Sequence, residues 1–376
     1  MRMLSFIRNK IIAIPLTLIA CAILIYTFLY PLDTSKTIDE FYKKNSNIGH
    51  DAELWGTGGS YFRWQSIQPE NSDFPDINIF YRTFGNIDNP AIVMIHGWPT
   101  SSYDFNELIN ELKHDYFIAV IDTPGYGFSD KPKGGYHYSI PDDARLVDYF
   151  IQEVLGLNKF ILLTHDKGDS VGFAFLNLYQ QKDLPAYNID HHVILNGGIY
   201  LPLAELSLAQ KYLTIPIFGQ FMTRFILTPD RFTSELAKVY SPQLTTKEQL
   251  NISSTFKYQG GTTVFPKTLR YLEDRRKLET SWLQTLAQSE IPATLIWGER
   301  DTIAKVEIAN FVWENYLGNR DAAASYWQLP CASHYPQNDQ PKVLANLIRR
   351  SLSYDKFVYD EVQNSECAPV MIDSNS

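Results

Sequence analysis

Two candidate nucleophiles share the stretch FILLTHDKGDSVG, Phe160 to Gly172. Read from Gly168 it is a literal G-x-S-x-G, which would make Ser170 the attacking hydroxyl of an ester or acyl hydrolase, or of an acyltransferase. Read from Thr164 it is small-x-Asp-x-small, which would make Asp166 an attacking carboxylate. A nucleophile on a strand-to-helix elbow must follow the last strand residue closely. The apolar run Phe160–Leu163 ends shortly before Asp166, whereas Ser170 lies a full helical turn further on. The spacing therefore favours Asp166, with Thr164 and Gly168 as its small flanks. An aspartate here is equally suited to capping the next helix, so the choice depends on the rest of the chain.

The rest of the chain supplies partners in order. MIHGWPT follows an apolar run and places Trp98 on a turn whose N–H can face an oxyanion; the N–H of Lys167, at the start of the next helix, is the second donor. LIWGERD sets Asp301 just past another run, and LPCASHYPQND sets His334 just past the last. Nucleophile, acid, histidine is the chain order that such a sheet requires. Asp301 has a competing reading as a helix cap, and Asp339 is then the acid nearest His334. His165 reads as structural, and His50, His114, His137 and the pair His191–His192 as packing or solvent-facing. DTPGYGFSD, Asp122 to Asp130, shapes the floor of the site. The Lys167 side chain is expected to point to solvent; the alternative is a cation beside the nucleophile that binds an acidic substrate group.

Such residues need strands to aim them. AIVMIHG, YFIAVID, FILL, HHVILNGG, ATLIWGERD and SYWQL are short, β-branched-rich apolar runs, as in sheets buried on both faces. Helical patterns separate them; Val147, Phe150, Ile151 and Val154 share one face, between Pro141 and Gly156. The alternation lapses from about Ile199 to Ala287, a stretch rich in Leu, Phe and Tyr, and then resumes. The reading is an α/β fold with a mostly parallel sheet and an inserted helical lid. Its boundaries are core 58–198 and 288–358, lid 199–287, tether 31–57 and flexible tail 359–376.

At the other end, Ile11–Tyr30 carries no charged residue, and Arg2, Arg8 and Lys10 precede it. About 20 apolar residues match a hydrocarbon layer of ~30 Å. Residues 1–30 are thus expected to be an uncleaved single-pass anchor, with its N-terminus in the cytosol and the remaining chain across the membrane. LIAC, Leu18–Cys21, is the competing signal, a lipoprotein-type cleavage box. A net charge of -9 argues against a nucleic-acid partner. Cys21, Cys331 and Cys367 match no metal spacing and neither require nor exclude an oxidising compartment. No cofactor motif is present.

HGWPTSSYDF, DTPGYGFSDKP, the His-Asp pair after a strand, WGERD and SHYPQNDQP resemble the α/β-hydrolase fold in its epoxide hydrolase and haloalkane dehalogenase branch. LLTHDKGDSV, ILNGGIY and RYLEDRRK are most similar to the mesoderm-specific transcript homologue group of that fold. The resemblance spans about residues 60–355 and implies an eight-stranded, mostly parallel sheet with a lid. It also implies a two-step reaction. Asp166 attacks an electrophilic carbon to form an alkyl-enzyme ester, and His334, oriented by Asp301, activates the water that cleaves it. Dehalogenases of this branch carry a tryptophan after the nucleophile to hold the halide; Lys167 stands there. Epoxide opening needs a proton donor, and among the lid tyrosines (Tyr200, Tyr212, Tyr240, Tyr258, Tyr271) the resemblance points to Tyr271. The expected substrate is a small apolar electrophile, lipid-derived if anchor and lid act together. The rival outside enzymology is a membrane-bound interaction module that has lost turnover.

Overall fold

The computed structural model describes residues 23, 25–28, 30–45, 48–241, 244–352 and 366–372. Nine strands form one sheet: β1 (Ser60–Trp64), β2 (Ile77–Phe84), β3 (Ala91–Ile95), β4 (Phe117–Ile121), β5 (Lys159–His165), β6 (Asn188–Leu195), β7 (Ala293–Gly298), β8 (Ala324–Leu329) and β9 (Val370–Ile372). Their order is β1-β2-β4-β3-β5-β6-β7-β8-β9. The strands from β4 across to β8 run parallel, and β1, β2 and β9 pair antiparallel at the edges.

The apolar runs work as a two-faced sheet demands, because successive side chains point to opposite sides. Val93, Ile95, Ala119, Ile121 and Leu162 enter one core, with Val147 and Val171 from the covering helices. Ile92, Met94, Ile118, Val120 and Leu163 enter the other, under Leu108, Leu112, Leu344 and Ile348. All five residues of β3 and of β4 are buried.

The lid is helical from Leu208 to Gln288, interrupted by turns. Ser207 and Thr245 start two of its helices with capping boxes closed by Gln210 and Glu248. Its last helix, Tyr271–Gln288, returns to the core: Asn177 donates to the Thr285 hydroxyl at 2.8 Å and Gln180 to the Thr285 carbonyl at 2.9 Å.

Three expectations change, for the tether, the strand count and the tail. The tether is not loose: helices Ile38–Lys44 and His50–Thr57 bury Ile38, Phe41, Tyr42 and Trp55 against the second core. Apolar residues at 38, 41 and 42 make a one-sided face too short to stand out from polar surroundings. The sheet has nine strands rather than eight, since Val370–Ile372 of the expected frayed tail dock as β9 on β8, and Cys367 is disulfide-bonded to Cys331. The expected anchor lies outside the described residues apart from Ile23, Ile25–Phe28 and Tyr30; among the described residues no helix is long and apolar enough to cross a membrane.

The disulfide closes a loop of 36 residues. Cys367→Ser is expected to cost about 2–4 kcal/mol, because the reduced unfolded chain regains that loop's freedom. Thermal unfolding with and without a reducing agent checks this: the reductant should lower the wild-type midpoint and leave the variant unmoved.

Candidate active site

Between the last residue of β5 and the helix Lys167–Gln180 stands Asp166, with φ 53° and ψ −112°. A non-glycine residue there stores about 1–3 kcal/mol of backbone strain, which the surrounding packing must hold. Two glycines make the fit. A Cβ on Gly168 would come within 2.3 Å of the Ile95 carbonyl oxygen, and one on Gly97 within 2.6 Å of the Asp166 Cβ. The chain therefore turns tightly at 166 and presents the carboxylate over the carboxyl end of the sheet.

Trp98 N–H donates to Asp166 Oδ2 at 2.7 Å, and is the one of the two expected backbone donors that reaches this carboxylate. His334 Nε2 faces the other oxygen, Oδ1, at 4.0 Å, a gap that a water beside the pair can bridge. On its far side His334 Nδ1 meets Asp301 Oδ2 at 2.7 Å. Asp301 is fixed in turn: Oδ1 accepts from the Ile303 and Ala304 N–H groups at 2.8 and 2.9 Å, and Oδ2 accepts from Asn196 at 2.9 Å. The expected triad residues thus come together. Asp339 is held elsewhere, accepting from the Ser333 N–H and hydroxyl, both at 2.7 Å, so it braces the histidine loop. His165 does likewise, its Nε2 lying 2.7 Å from the His334 carbonyl oxygen. Burial and the neighbouring imidazole bring His165 down to about 4, and it is neutral at pH 7.

Ser170 takes no part in this cluster. It is buried in the helix, its hydroxyl accepts from Arg275 Nε at 2.7 Å, and a second arm of the same guanidinium donates to the Asp166 carbonyl at 2.9 Å. Lys167 contradicts the solvent-facing reading. It is buried, with Nζ 2.5 Å from Asp143 Oδ2, 3.3 Å from the Thr123 hydroxyl and over the Tyr126 ring. Tyr271 is buried under Arg275, and Gln210 Nε2 approaches its hydroxyl at 3.4 Å. Asn196, which donates to Asp301, and Arg275, which donates to Ser170 and to the Asp166 carbonyl, touch the site and were not singled out from the sequence. The Asn-Gly-Gly turn after an apolar run, with Asn196 at φ 27°, was the signal for the first; for the second it was the stretch RYLEDRRK, which contains Arg275.

A cavity of about 290 Å³ opens over Asp166 and His334. Trp98, Pro99 and Tyr335 wall it from the core, and Leu208, Gln210, Leu227, Phe232, Leu236 and Val239 from the lid. The Trp98 ring N–H does not enter this space; it donates to the Thr268 hydroxyl at 3.1 Å. Among the described residues no group of His, Cys, Asp and Glu could hold a metal ion.

His334 is raised to about 9: burial pulls it down, but the charge and hydrogen bond of Asp301 outweigh burial, and Asp166 and Asp169 add to them. A folded value above the unfolded 6.5 stabilises the protein fully below that pH, and the contribution is lost as pH rises through about 9. The stability difference between wild type and His334→Gln should therefore shrink by about 3 kcal/mol over this window, measured by urea unfolding. A difference that grew with pH would place the proton elsewhere.

A sequence model of the alpha/beta hydrolase fold matches residues 90–186. The chain is 29% identical over 303 residues to the mesoderm-specific transcript protein of Mus musculus, covering 78% of this chain and 85% of that one. It is 27% identical over 285 residues to epoxide hydrolase 4 of Mus musculus, covering 72% and 75%. Among solved structures, the haloalkane dehalogenase DbeA from Bradyrhizobium elkani USDA94 superposes with a TM-score of 0.61 at 20% identity, covering 79% of this chain and all of that one, a likeness of fold. With the parallel sheet, the lid and the elbow, these findings make the chain an α/β-hydrolase, an enzyme of the hydrolase class.

Proposed function

We propose that this hydrolase uses Asp166 as its nucleophile and opens apolar epoxides in two steps. The observation that carries the reading is Asp166 itself, strained at the elbow, held by the Trp98 N–H and facing His334 Nε2 inside a lidded, mainly apolar cavity. The carboxylate attacks a ring carbon, the carbon–oxygen bond breaks, and an ester forms. His334 then takes a proton from water, the resulting hydroxide adds to the ester carbonyl, and the bond to the alkyl oxygen breaks. That former Asp166 oxygen takes the proton from His334 as the diol leaves, and the proton of the regenerated Asp166 carboxyl restores the group that protonated the epoxide oxygen. Trp98 N–H, with the Lys167 N–H at the helix start, stabilises the oxyanion.

The choice of epoxide over halide rests on where two side chains go. Lys167 occupies the position of a halide-holding tryptophan and turns away to Asp143, and the Trp98 ring N–H is committed to Thr268. A departing halide would meet neither. An epoxide oxygen instead needs a proton, which this reading assigns to Tyr271, buried behind the cavity-lining Gln210 with its hydroxyl 3.4 Å from that amide. Burial and the Asp166 charge push its phenol upward, keeping it protonated at neutral pH. The likeness to epoxide hydrolase 4 supports this reading, and the Arg275 bond to Ser170 weighs against a serine acyl hydrolase.

The enzyme is anchored by Ile11–Tyr30 with its N-terminus in the cytosol. The Cys331–Cys367 disulfide suits a catalytic domain in an oxidising compartment across that membrane. Single turnover of styrene oxide or an epoxy fatty acid in H₂¹⁸O tests the mechanism. The label should enter the Asp166 peptide, and Asp166→Ala should turn nothing over. Label found only in the diol, or activity surviving in Asp166→Ala, would reject the aspartate.

A further inference from the structure

We propose that the outer face of the lid is a membrane-binding surface, seated on the bilayer that holds the N-terminal apolar run, and that apolar substrate enters the cavity from there. The face is formed by Leu208, Tyr212, Ile215, Ile217, Phe218 and Phe221, all exposed, Leu208 at 70% and Ile217 at 82%. Apolar surface gathered on one short segment differs from singly scattered exposed residues and marks an interaction site. Ile217 sharpens the point. A β-branched residue at φ 66° is in a backbone region such side chains avoid, and here that conformation goes with an isoleucine left exposed on the lid.

Three observations identify the partner as lipid. The uncharged run ends beside this face: the Tyr26 ring lies 5.4 Å from that of Phe225, which lies 5.0 Å from that of Phe221, and Arg224 donates to the Tyr30 carbonyl at 3.0 Å. Whatever apolar medium takes up the run is therefore beside the lid, not at the opposite end of the sheet. From Leu208 to Pro229 the chain carries Lys211 and Arg224 and no acidic residue, which matches anionic headgroups around an apolar interior. Leu208 belongs both to the exposed face and to the cavity wall, so the mouth of the cavity opens at the rim of the patch. An interfacial face of this kind sits roughly 5–10 Å into the headgroup region, which lets a bilayer-dissolved molecule reach Asp166 without crossing water. The route rests on the hydrolase reading of the cavity; the surface does not.

The test uses the full chain reconstituted into phosphatidylcholine vesicles containing a minor share of phosphatidylserine. An environment-sensitive fluorophore is placed at Ile217→Cys or, as control, at Ile87→Cys, both in a Cys21→Ser background. Ile87 is exposed and precedes β3, at the end of the sheet away from the site. The expected result is a blue shift at 217 and loss of its emission when nitroxide-bearing lipids are included, with neither at 87. Equal behaviour at the two positions overturns the proposal, as does a 217 signal that ignores the nitroxide while Ile217→Cys chains cross-link to each other, which would assign the face to a second copy. In a second arm, Ile217→Glu with Phe221→Glu should slow turnover of a vesicle-dissolved epoxide and leave that of styrene oxide in water unchanged. If no epoxide is turned over at all, the fluorescence arm still decides the surface, so the two readings fail separately.

Discussion

His334→Gln is expected to form the covalent ester at Asp166 and then stop, with turnover down by about 10²–10⁴-fold, the range for losing a positioned general base. A carboxylate attacks without a base, so the first step does not need the imidazole. The second step does, because water between His334 and the ester is too weak a nucleophile unless its proton is taken. Glutamine preserves the approximate shape and can hydrogen-bond to Asp301, yet it cannot accept that proton. The electrostatics give the histidine its timing. In the resting enzyme Asp301 and Asp166 both favour the imidazolium. Esterification removes the Asp166 charge, so His334 moves towards the neutral form at the moment a base is wanted. Intact-mass measurement of the variant after exposure to styrene oxide should show one added substrate mass, and digestion should place it on the peptide containing Asp166. An adduct on Ser170, or wild-type turnover with no adduct, would refute the two-step mechanism.

Legibility differed between groups placed by the local chain and groups placed by distant ones. Asp166, Asp301 and His334 each follow a strand, and a strand-helix alternation can be counted, so their convergence was readable without coordinates. Counting favoured one frame, and the structure has Asp166 as the turn residue after β5, which runs to His165, with Ser170 within the helix. Lys167 was misread because its partner is contributed by another helix, Ile140–Tyr149, and no local pattern says that Asp143 lies across from it. Asn196 sits on a turn that could be seen locally, but its partner could not, since the amide reaches Asp301 only once β6 lies beside β7. The docked tail and the pre-core helices were hidden differently. β9 has three residues and the helix Ile38–Lys44 seven, so each offers too few apolar positions for a periodic signal, and tertiary packing alone makes them regular.

Lys167→Met is expected to destabilise the protein by about 3–5 kcal/mol, although residue 167 also lies beside the nucleophile and invites a purely catalytic account. The reason is Asp143. Burial pushes its carboxyl up, and the Lys167 ammonium, in contact with it, is what pulls it back. Taking the cation away leaves an acid that must either stay charged without a partner in the interior or bind a proton, and both are costly at pH 7. The loss should diminish as pH falls, because the carboxyl is then neutral in folded and unfolded chains alike. Lys167→Met combined with Asp143→Leu removes both charges and fills similar volume, so it should recover most of the loss. Urea unfolding of the two single variants and the double variant closes this cycle, and a near-neutral Lys167→Met would mean that the ammonium is in water rather than against Asp143. The double variant also separates fold from chemistry. Its backbone N–H at 167 remains in place, so the ester at Asp166 should still form; a folded double variant unable to form it would give the ammonium a direct part in the reaction.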